Sequence, residues 1–352
     1  MRITEEKPKR SSRANGRSTR KSASDNLSIA VAGYKSIFEE REIEIRPLTL
    51  LAGANSAGKS SMIQPLLLLK QTLEETYDPG ALLLNGNNVK FTSTDQLLWK
   101  PTKGERPDSF SVRLSYGSNE LMIRFQKQQK KGFDIPEMVS KYGRNELRFA
   151  PNMTDEKIRE MLPPEIRRFE EIFSGSKKED IKWIISRNRC FLALSVAVEG
   201  RALSDDFFSS RLNPNLDRSR TDIRSLIHLP GLRGNPERTY SVAAVGSTFS
   251  GTFENYTASI IAEWVEQKDA RLDALCEDLR LLKLTSKVTA QRVNDAQVEL
   301  QVGRLLDLPK GRGAVDMVNI ADVGFGMSQT LPVIVALHAA RSGQIVYIRP
   351  LS

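Results

Sequence analysis

The stretch Gly53-Ala54-Asn55-Ser56-Ala57-Gly58-Lys59-Ser60 constrains this chain more than any other. It fits the pattern G-x-x-x-x-G-K-[ST] at every position. Ahead of it, Leu48 to Ala52 is apolar and predicts a short buried strand. Behind it, Ser61 to Leu73 predicts a helix. Strand, glycine loop and helix in that order point to an α/β unit. A helix that opens this way presents backbone N–H groups without intrahelical partners, and the positive end of its dipole lies there too. An anion, above all a phosphate, is the ligand such a turn suits.

Each residue type has a reason in that chemistry. Gly53 and Gly58 let the backbone curl where a Cβ would clash with phosphate oxygens. Lys59 is expected to reach the β- and γ-phosphates as a point charge, and Ser60 to place its hydroxyl on Mg²⁺, which prefers oxygen ligands in octahedral geometry. Asn55, Ser56 and Ser61 are read as further contacts of the same loop. The competing reading, a glycine turn that merely caps a helix, does not account for all eight positions.

The chain of 352 residues suggests about two domains. Its net charge is +9, but residues 1–24 alone hold eight Lys/Arg and two Glu. The remainder is only mildly basic. The first 25 residues have few apolar side chains and are expected to be a disordered basic tail. That tail is either a nucleic-acid or membrane contact or a solvated arm with no partner. No apolar run is long enough to span a bilayer, and no signal-peptide segment stands near the start. The two cysteines, Cys190 and Cys276, lie far apart and read as free thiols of a reducing cytoplasm. Neither histidine, His228 nor His338, belongs to a metal-binding spacing; His338 on its apolar helix reads as structural or surface.

Along the chain, Leu27–Val31 and Glu42–Ile45 predict strands, joined through a turn at Gly33–Ile37. Turn signals stand at Asp78-Pro79-Gly80 and Asn85-Gly86-Asn87-Asn88. Phe110–Tyr116 and Glu120–Gln126 predict a hairpin. Thr154–Met161, Pro164–Phe173 and Lys178–Ser186 predict helices of a charged insertion. Phe191–Val198 predicts a strand, Glu254–Glu266 and Asp269–Leu282 amphipathic helices, and Val288–Val293 with Gln297–Val302 a hairpin about Asn294-Asp295. Val315–Ile320 and Gln344–Ile348 predict further strands.

A second glycine-rich loop, Asp322-Val323-Gly324-Phe325-Gly326-Met327-Ser328-Gln329, opens an apolar helix from Thr330 to Ala340. Alone it is a weak anion-site signal, since small-residue turns precede many helices. Together with the first loop it carries a resemblance. Tyr34 to Glu74 resembles the N-terminal half of RecF-like and OLD-like ATPase heads, of the wider ABC/SMC class of P-loop proteins. Leu82–Leu98 and Leu226–Tyr240 look like recurring segments of the same AAA-annotated group. Ala321–Ile348 resembles its signature loop, helix and following strand. The likeness covers both ends and part of the middle, and residues 102–220 match only loosely.

The resemblance implies an α/β fold, a P-loop NTPase of ABC/SMC-like head type: a mixed sheet, an antiparallel side sheet and an inserted helical segment. It divides the chain into a tail (1–25), an N-terminal half of the head (26–101), an insertion (102–220) and a C-terminal half (221–352). It implies ATP and Mg²⁺ as cofactors and an ATP-driven head-to-head homodimer, in which Gly326 and Ser328 touch the γ-phosphate in trans. DNA and a nuclease or effector protein are the further candidate partners, and DNA repair or anti-phage defence the setting. Arg233 and Arg238, in the run Gly231 to Arg238, read either as contacts to phosphate or the partner head, or as packing arginines.

One departure bears on catalysis. The family strand after the signature helix ends in acidic residues that hold Mg²⁺ and orient water. Here Arg349 stands in the first of those places, followed by Pro350-Leu351-Ser352. No catalytic residue is assignable. ATP binding is expected to survive while hydrolysis slows severely, as in a truncated gene. The alternative is a non-catalytic remnant or a regulatory ATP-binding module. A GTPase is disfavoured, because no N-K-x-D or T-K-x-D motif follows the loop. A small-molecule kinase leaves Gly324–Gln329 unexplained.

Overall fold

The computed structural model describes residues 26–55, 57–162, 181–198, 201–203, 214–304 and 316–349. The basic segment, Ser56 and the helix expected at Pro164–Phe173 lie outside them. The fold is mixed α/β. Strands β1 (Leu27–Ala32), β2 (Arg41–Ile45), β3 (Ser109–Tyr116), β4 (Asn119–Gln128), β5 (Gly132–Tyr142) and β6 (Asn145–Phe149) form an antiparallel sheet in the order β2-β1-β3-β4-β5-β6. Period-two alternation sorts its faces. Phe110, Val112 and Leu114 of β3 are buried opposite Phe125, Ile123 and Leu121 of β4. Between them Arg113 turns to the other face, where it meets Glu40, Glu42 and Glu120.

Helix α1 (Lys59–Glu74) packs in the first core with this sheet. Met62, Ile63, Leu66–Leu69 and Leu73 are all buried, and so are Lys70, Gln71 and Thr72. From Ser61 to Leu73 this helix is buried on nearly every side, so its polar side chains there need partners as well as cover. The same core also takes in α2 (Asp155–Met161) and strands β7 (Ile181–Asn188) and β8 (Phe191–Val198), which with β9 (Arg201–Leu203) form a three-stranded sheet.

Strand β7 corrects the helix expected at Lys178–Ser186. Within Ile181–Asn188, Trp183 and Ile185 are buried while Lys182 is exposed and Ile184 half-buried. That alternation is a strand's, and β8 supplies a full antiparallel ladder for it. The charged residues just upstream masked the period. Strand β5, strand β6 and helix α3 (Pro214–Ser225) also carried no sequence expectation.

Strand β10 (Ile227–Leu229) follows α3. The second core holds α4 (Thr257–Gln267), α5 (Ala270–Leu281) and the strands β11 (Tyr240–Ser241), β12 (Val288–Asn294), β13 (Gln297–Gly303) and β14 (Met317–Asn319). In this sheet β13 pairs with β11, β12 and β14. Helix α6 (Phe325–Ala339) and strand β15 (Val346–Ile348) complete the described elements. Strand β15 pairs in parallel with β10, and the two stand between the cores. Ile345 and Tyr347 pack against the first core, Val346 against the second.

The expected strand at Leu48–Ala52 is not formed. Among the described residues no strand pairs with it, and Leu48 and Leu50 are 77% and 80% exposed. An apolar run becomes a strand only where a neighbour takes up its N–H and C=O groups. Among the described residues no helix is long and apolar enough to cross a membrane.

Candidate functional site

The 53–60 loop is held from its own lysine. Lys59 Nζ donates to the carbonyl oxygens of Gly53 and Ala54, both at 2.8 Å. The amide of Ala57 donates to the Ala54 carbonyl at 3.2 Å. The backbone thus curls around a cation. Gly58 precedes the first helical residue with φ 91° and ψ 7°, a left-handed conformation that a side chain disfavours. A Cβ there would also lie 2.5 Å from Ser36 Oγ. The first turn of α1 carries no acidic residue, so no carboxylate of that turn offsets the positive helix end.

The contact residues differ in exposure. Gly53, Ala54 and Asn55 are open to solvent, Lys59 and Ser60 are half-buried, and Ser61 is buried. The Ser61 amide donates to the Gly58 carbonyl at 2.9 Å, inside the helix start. Ser56 lies outside the described residues. Ser60 shares a side-chain hydrogen bond with Tyr347 of β15, which brings that strand to the mouth of the loop.

Behind the loop, α1 is anchored by buried polar side chains. Lys70, fully buried, pairs with Glu74 at 2.5 Å and donates to the carbonyls of Phe249 at 2.8 Å and Arg224 at 3.2 Å. All three ammonium donors are used. Burial pushes its pKa down, and the Glu74 carboxylate opposes that shift. Gln71 clamps the Asn85–Asn88 turn: its Oε1 accepts from the amides of Asn88 and Val89, and its Nε2 donates to Leu83 O. Gly86 fits because a Cβ there would meet the Gln71 amide at 2.5 Å. His228, on β10, lies 3.0 Å from Asn88 Oδ1 through its Nδ1 and stacks on Tyr347 at 5.7 Å. Burial, then the charges of Lys70 and Arg349, push His228 down to about 4.

The second glycine loop sits on the other core. Gly324 precedes α6, Phe325 and Gly326 are exposed, and a Cβ at Gly326 would meet nothing within 4 Å. Ser328 is buried, and its hydroxyl donates to the Phe325 carbonyl at 2.8 Å. Gln329 and Arg233 lock together. The Arg233 amide donates to Gln329 Oε1, Arg233 Nη1 to the Gln329 carbonyl, and Gln329 Nε2 to the Arg233 carbonyl. Arg233 is 6% exposed, so its guanidinium packs within its own chain. Its partner in charge is Glu254; burial lowers the one pKa and raises the other. Arg238 pairs with Asp322 at 2.7 Å on the exposed rim of the loop. The anchoring role of Gln329 was the residue sequence reasoning missed, although it closes the quoted motif.

The remaining candidates are accounted for locally. His338 Nε2 lies 2.8 Å from Asp278 Oδ2 between α6 and α5. Cys190 is buried, and that burial pushes its thiol up to about 12. Cys276 is half-buried. Among the described residues no cluster of three or more His, Cys, Asp or Glu could hold a metal ion. No protein-family model matches the chain, and no curated protein matches it.

Proposed function

We propose that this chain is an ATP-binding head of the RecF-like/OLD-like kind, a P-loop NTPase of ABC/SMC type that acts in the cytoplasm. The observation that carries the reading is the lysine-centred curl. Lys59 is held on two loop carbonyls at the start of a helix whose first turn has no acidic side chain. A triphosphate would replace those carbonyls as the lysine's partner and accept the amides at the helix start. Gly53, Asn55, Ser56, Gly58, Lys59, Ser60 and Ser61 are the proposed contacts. Ser60 is the protein's proposed ligand to Mg²⁺, whose other positions would be phosphate oxygens and water.

Binding, rather than turnover, is the activity assigned. Arg349, just past the end of β15, adds positive charge near Lys35, His228 and Tyr347. A cation there favours the phosphates and disfavours a metal. The second loop supports a head-to-head homodimer, because Gly324, Phe325 and Gly326 are exposed while Arg233 and Gln329 brace them from behind. Gly326 would then meet the partner's phosphates, and Ser328, buried and bonded to the Phe325 carbonyl, would join it by turning its hydroxyl outward. DNA, a nuclease or effector partner, and a role in repair or defence follow from the resemblance alone.

Equilibrium binding of radiolabelled ATP with Mg²⁺ tests the reading. Wild type is expected to bind and Lys59→Ala to lose at least tenfold in affinity. Equal binding by both proteins, or none by wild type, overturns it. Hydrolysis well above background would overturn the assignment of binding without turnover.

A further inference from the structure

Six side-chain atoms among the described residues are buried without a hydrogen-bond partner, and three of them belong to one cluster: Arg233 Nε, Glu254 Oε2 and Thr257 Oγ1. Native interiors hold few such atoms, so half of them in one place needs a cause. Glu254 lies on the helical turn Phe253–Tyr256, and Thr257 opens α4 directly after it. Side chains three residues apart on such a turn lie one above the other. Arg233 brings the third atom, and its charge and that of Glu254 act on each other.

The guanidinium is spent elsewhere. Arg233 Nη1 donates to the Gln329 carbonyl at 2.9 Å, while the Gln329 side chain bonds the amide and the carbonyl of Arg233. This lock fixes the first turns of α6. Within it the Ser328 hydroxyl is turned inward, onto the Phe325 carbonyl at 2.8 Å. The Glu254 carboxylate takes hydrogen bonds from the Thr252 side chain and from its own amide, which leaves Oε2 to spare. A guanidinium and a carboxylate that share an interior gain most as a two-bond pair, and leaving either short is costly. The described arrangement therefore has a rival, with Arg233 turned from the Gln329 carbonyl onto Glu254 Oε2. The rival trades a bond to a neutral carbonyl for one to a carboxylate, but it loosens the turn that carries Ser328. Two arrangements with such opposed terms form a bistable element.

We infer that Arg233 and Glu254 form a two-position latch on the second glycine loop, with Gln329 as one seat of the guanidinium and Glu254 as the other. Seated on Gln329, Arg233 keeps the Ser328 hydroxyl inward. Seated on Glu254, it frees the first turns of α6 and lets that hydroxyl turn out. Both are positioning residues, which act on the loop without touching its ligand. The use made of the released loop rests on the proposed function, in which Ser328 meets the partner's phosphates; the latch itself does not.

Hydrogen exchange of the full chain without nucleotide tests the latch. The reporters are the amides of Gln329, Thr330, Leu331 and Val333, protected only while the first turns of α6 hold. Glu254→Gln keeps the shape and removes the charge, so it withdraws the second seat. Exchange at these amides is expected to slow by roughly fivefold, at the low end of couplings between sites. A fixed brace, such as a water bridging the three atoms, gives the opposite sign, because loss of the charge then loosens the cluster. Faster or unchanged exchange overturns the latch. Glu254→Asp keeps the charge but is a methylene shorter, so it should slow exchange likewise, and it decides the outcome if the glutamine protein does not fold. With ATP and Mg²⁺ present, sedimentation velocity reads the consequence. Glu254→Gln is expected to bind ATP as wild type does and to dimerise about fivefold more weakly. Undiminished dimerisation overturns the link between latch and closure. If wild type binds no ATP, the phosphate-loop reading falls, and the exchange result still decides the latch.

Discussion

Gly58→Ala isolates what the glycine loop requires of its backbone. Two costs are conceivable, and the structure ranks them. The first is conformational: at φ 91° an alanine is forced into left-handed space, at roughly 1–2 kcal/mol. The second is steric: the added methyl would lie 2.5 Å from Ser36 Oγ and 3.9 Å from Ile37 Cγ1. Ser36 is exposed, so its hydroxyl can rotate away, and the Ile37 distance is an ordinary contact. The conformational cost therefore dominates. At an m-value of about 2–3 kcal/mol per molar urea the midpoint should fall by roughly half a molar. The double substitution Ser36→Gly/Gly58→Ala should stay as unstable as Gly58→Ala alone. Urea unfolding followed by far-UV circular dichroism reads both. A double variant restored to the Ser36→Gly midpoint would show that crowding, not φ, sets the requirement. An unshifted Gly58→Ala midpoint would refute the left-handed geometry itself.

Lys70→Met leaves the Glu74 carboxylate without its charge partner in the first core, and should cost about 3–5 kcal/mol, whereas Lys70→Met/Glu74→Leu should recover much of it; thermal midpoints of the three proteins decide. His228 is held near 4 when folded, below the ordinary histidine value, so the unfolded chain binds the extra proton. Stability from this group is full above about 6.5 and is lost as pH falls toward 4, by on the order of 3 kcal/mol, and His228→Gln should flatten the urea midpoint across that window. Arg238→Ala removes an exposed ion pair and should change stability by less than about 1 kcal/mol, while Gln329→Ala, which strips buried partners from Arg233, should cost on the order of 2 kcal/mol by the same assay. Cys190 should resist alkylation in the native protein, and Cys276 should react first, as peptide mapping would read.

Much of the secondary structure was legible because its periods are clean. The hairpin of β3 and β4, helix α1 and strand β8 each follow from apolar spacing alone. The failures share a physical cause, which is that the deciding partner lies far away in sequence. Leu48–Ala52 has strand composition, yet strand structure depends on a neighbour's backbone. Ile181–Asn188 has strand alternation hidden behind a charged lead-in, and β8 decides it. Lys70 looks like a surface lysine until Phe249 and Arg224 close over it. Its one local signal is Glu74 at i+4. In the second loop the glycines and the serine drew attention, but the side chain that fixes the loop to the rest of the fold is Gln329, through Arg233, 96 residues earlier.

The two loops share a construction. Each is braced from behind by buried polar groups, the first through Lys70, Glu74 and Gln71, the second through Arg233 and Gln329. Each leaves its front open: Ala52–Asn55 and Ala57 in one case, Gly324–Gly326 in the other. They also belong to different cores, joined by the short β10–β15 pair, whose alternate side chains serve one core and then the other. A ligand gripped by the first loop would keep one face in water. A triphosphate gains fully from its donors only when water is excluded and every oxygen is paired, since a buried, unpaired charge is costly. The second loop supplies such donors but faces outward from its own core. Within the proposed function, closure by a second copy answers both facts at once. Half-sites already braced by their own hydrogen bonds would give up little conformational freedom on joining, so on that proposal most of the binding energy of a shared nucleotide would be left to hold the two heads together.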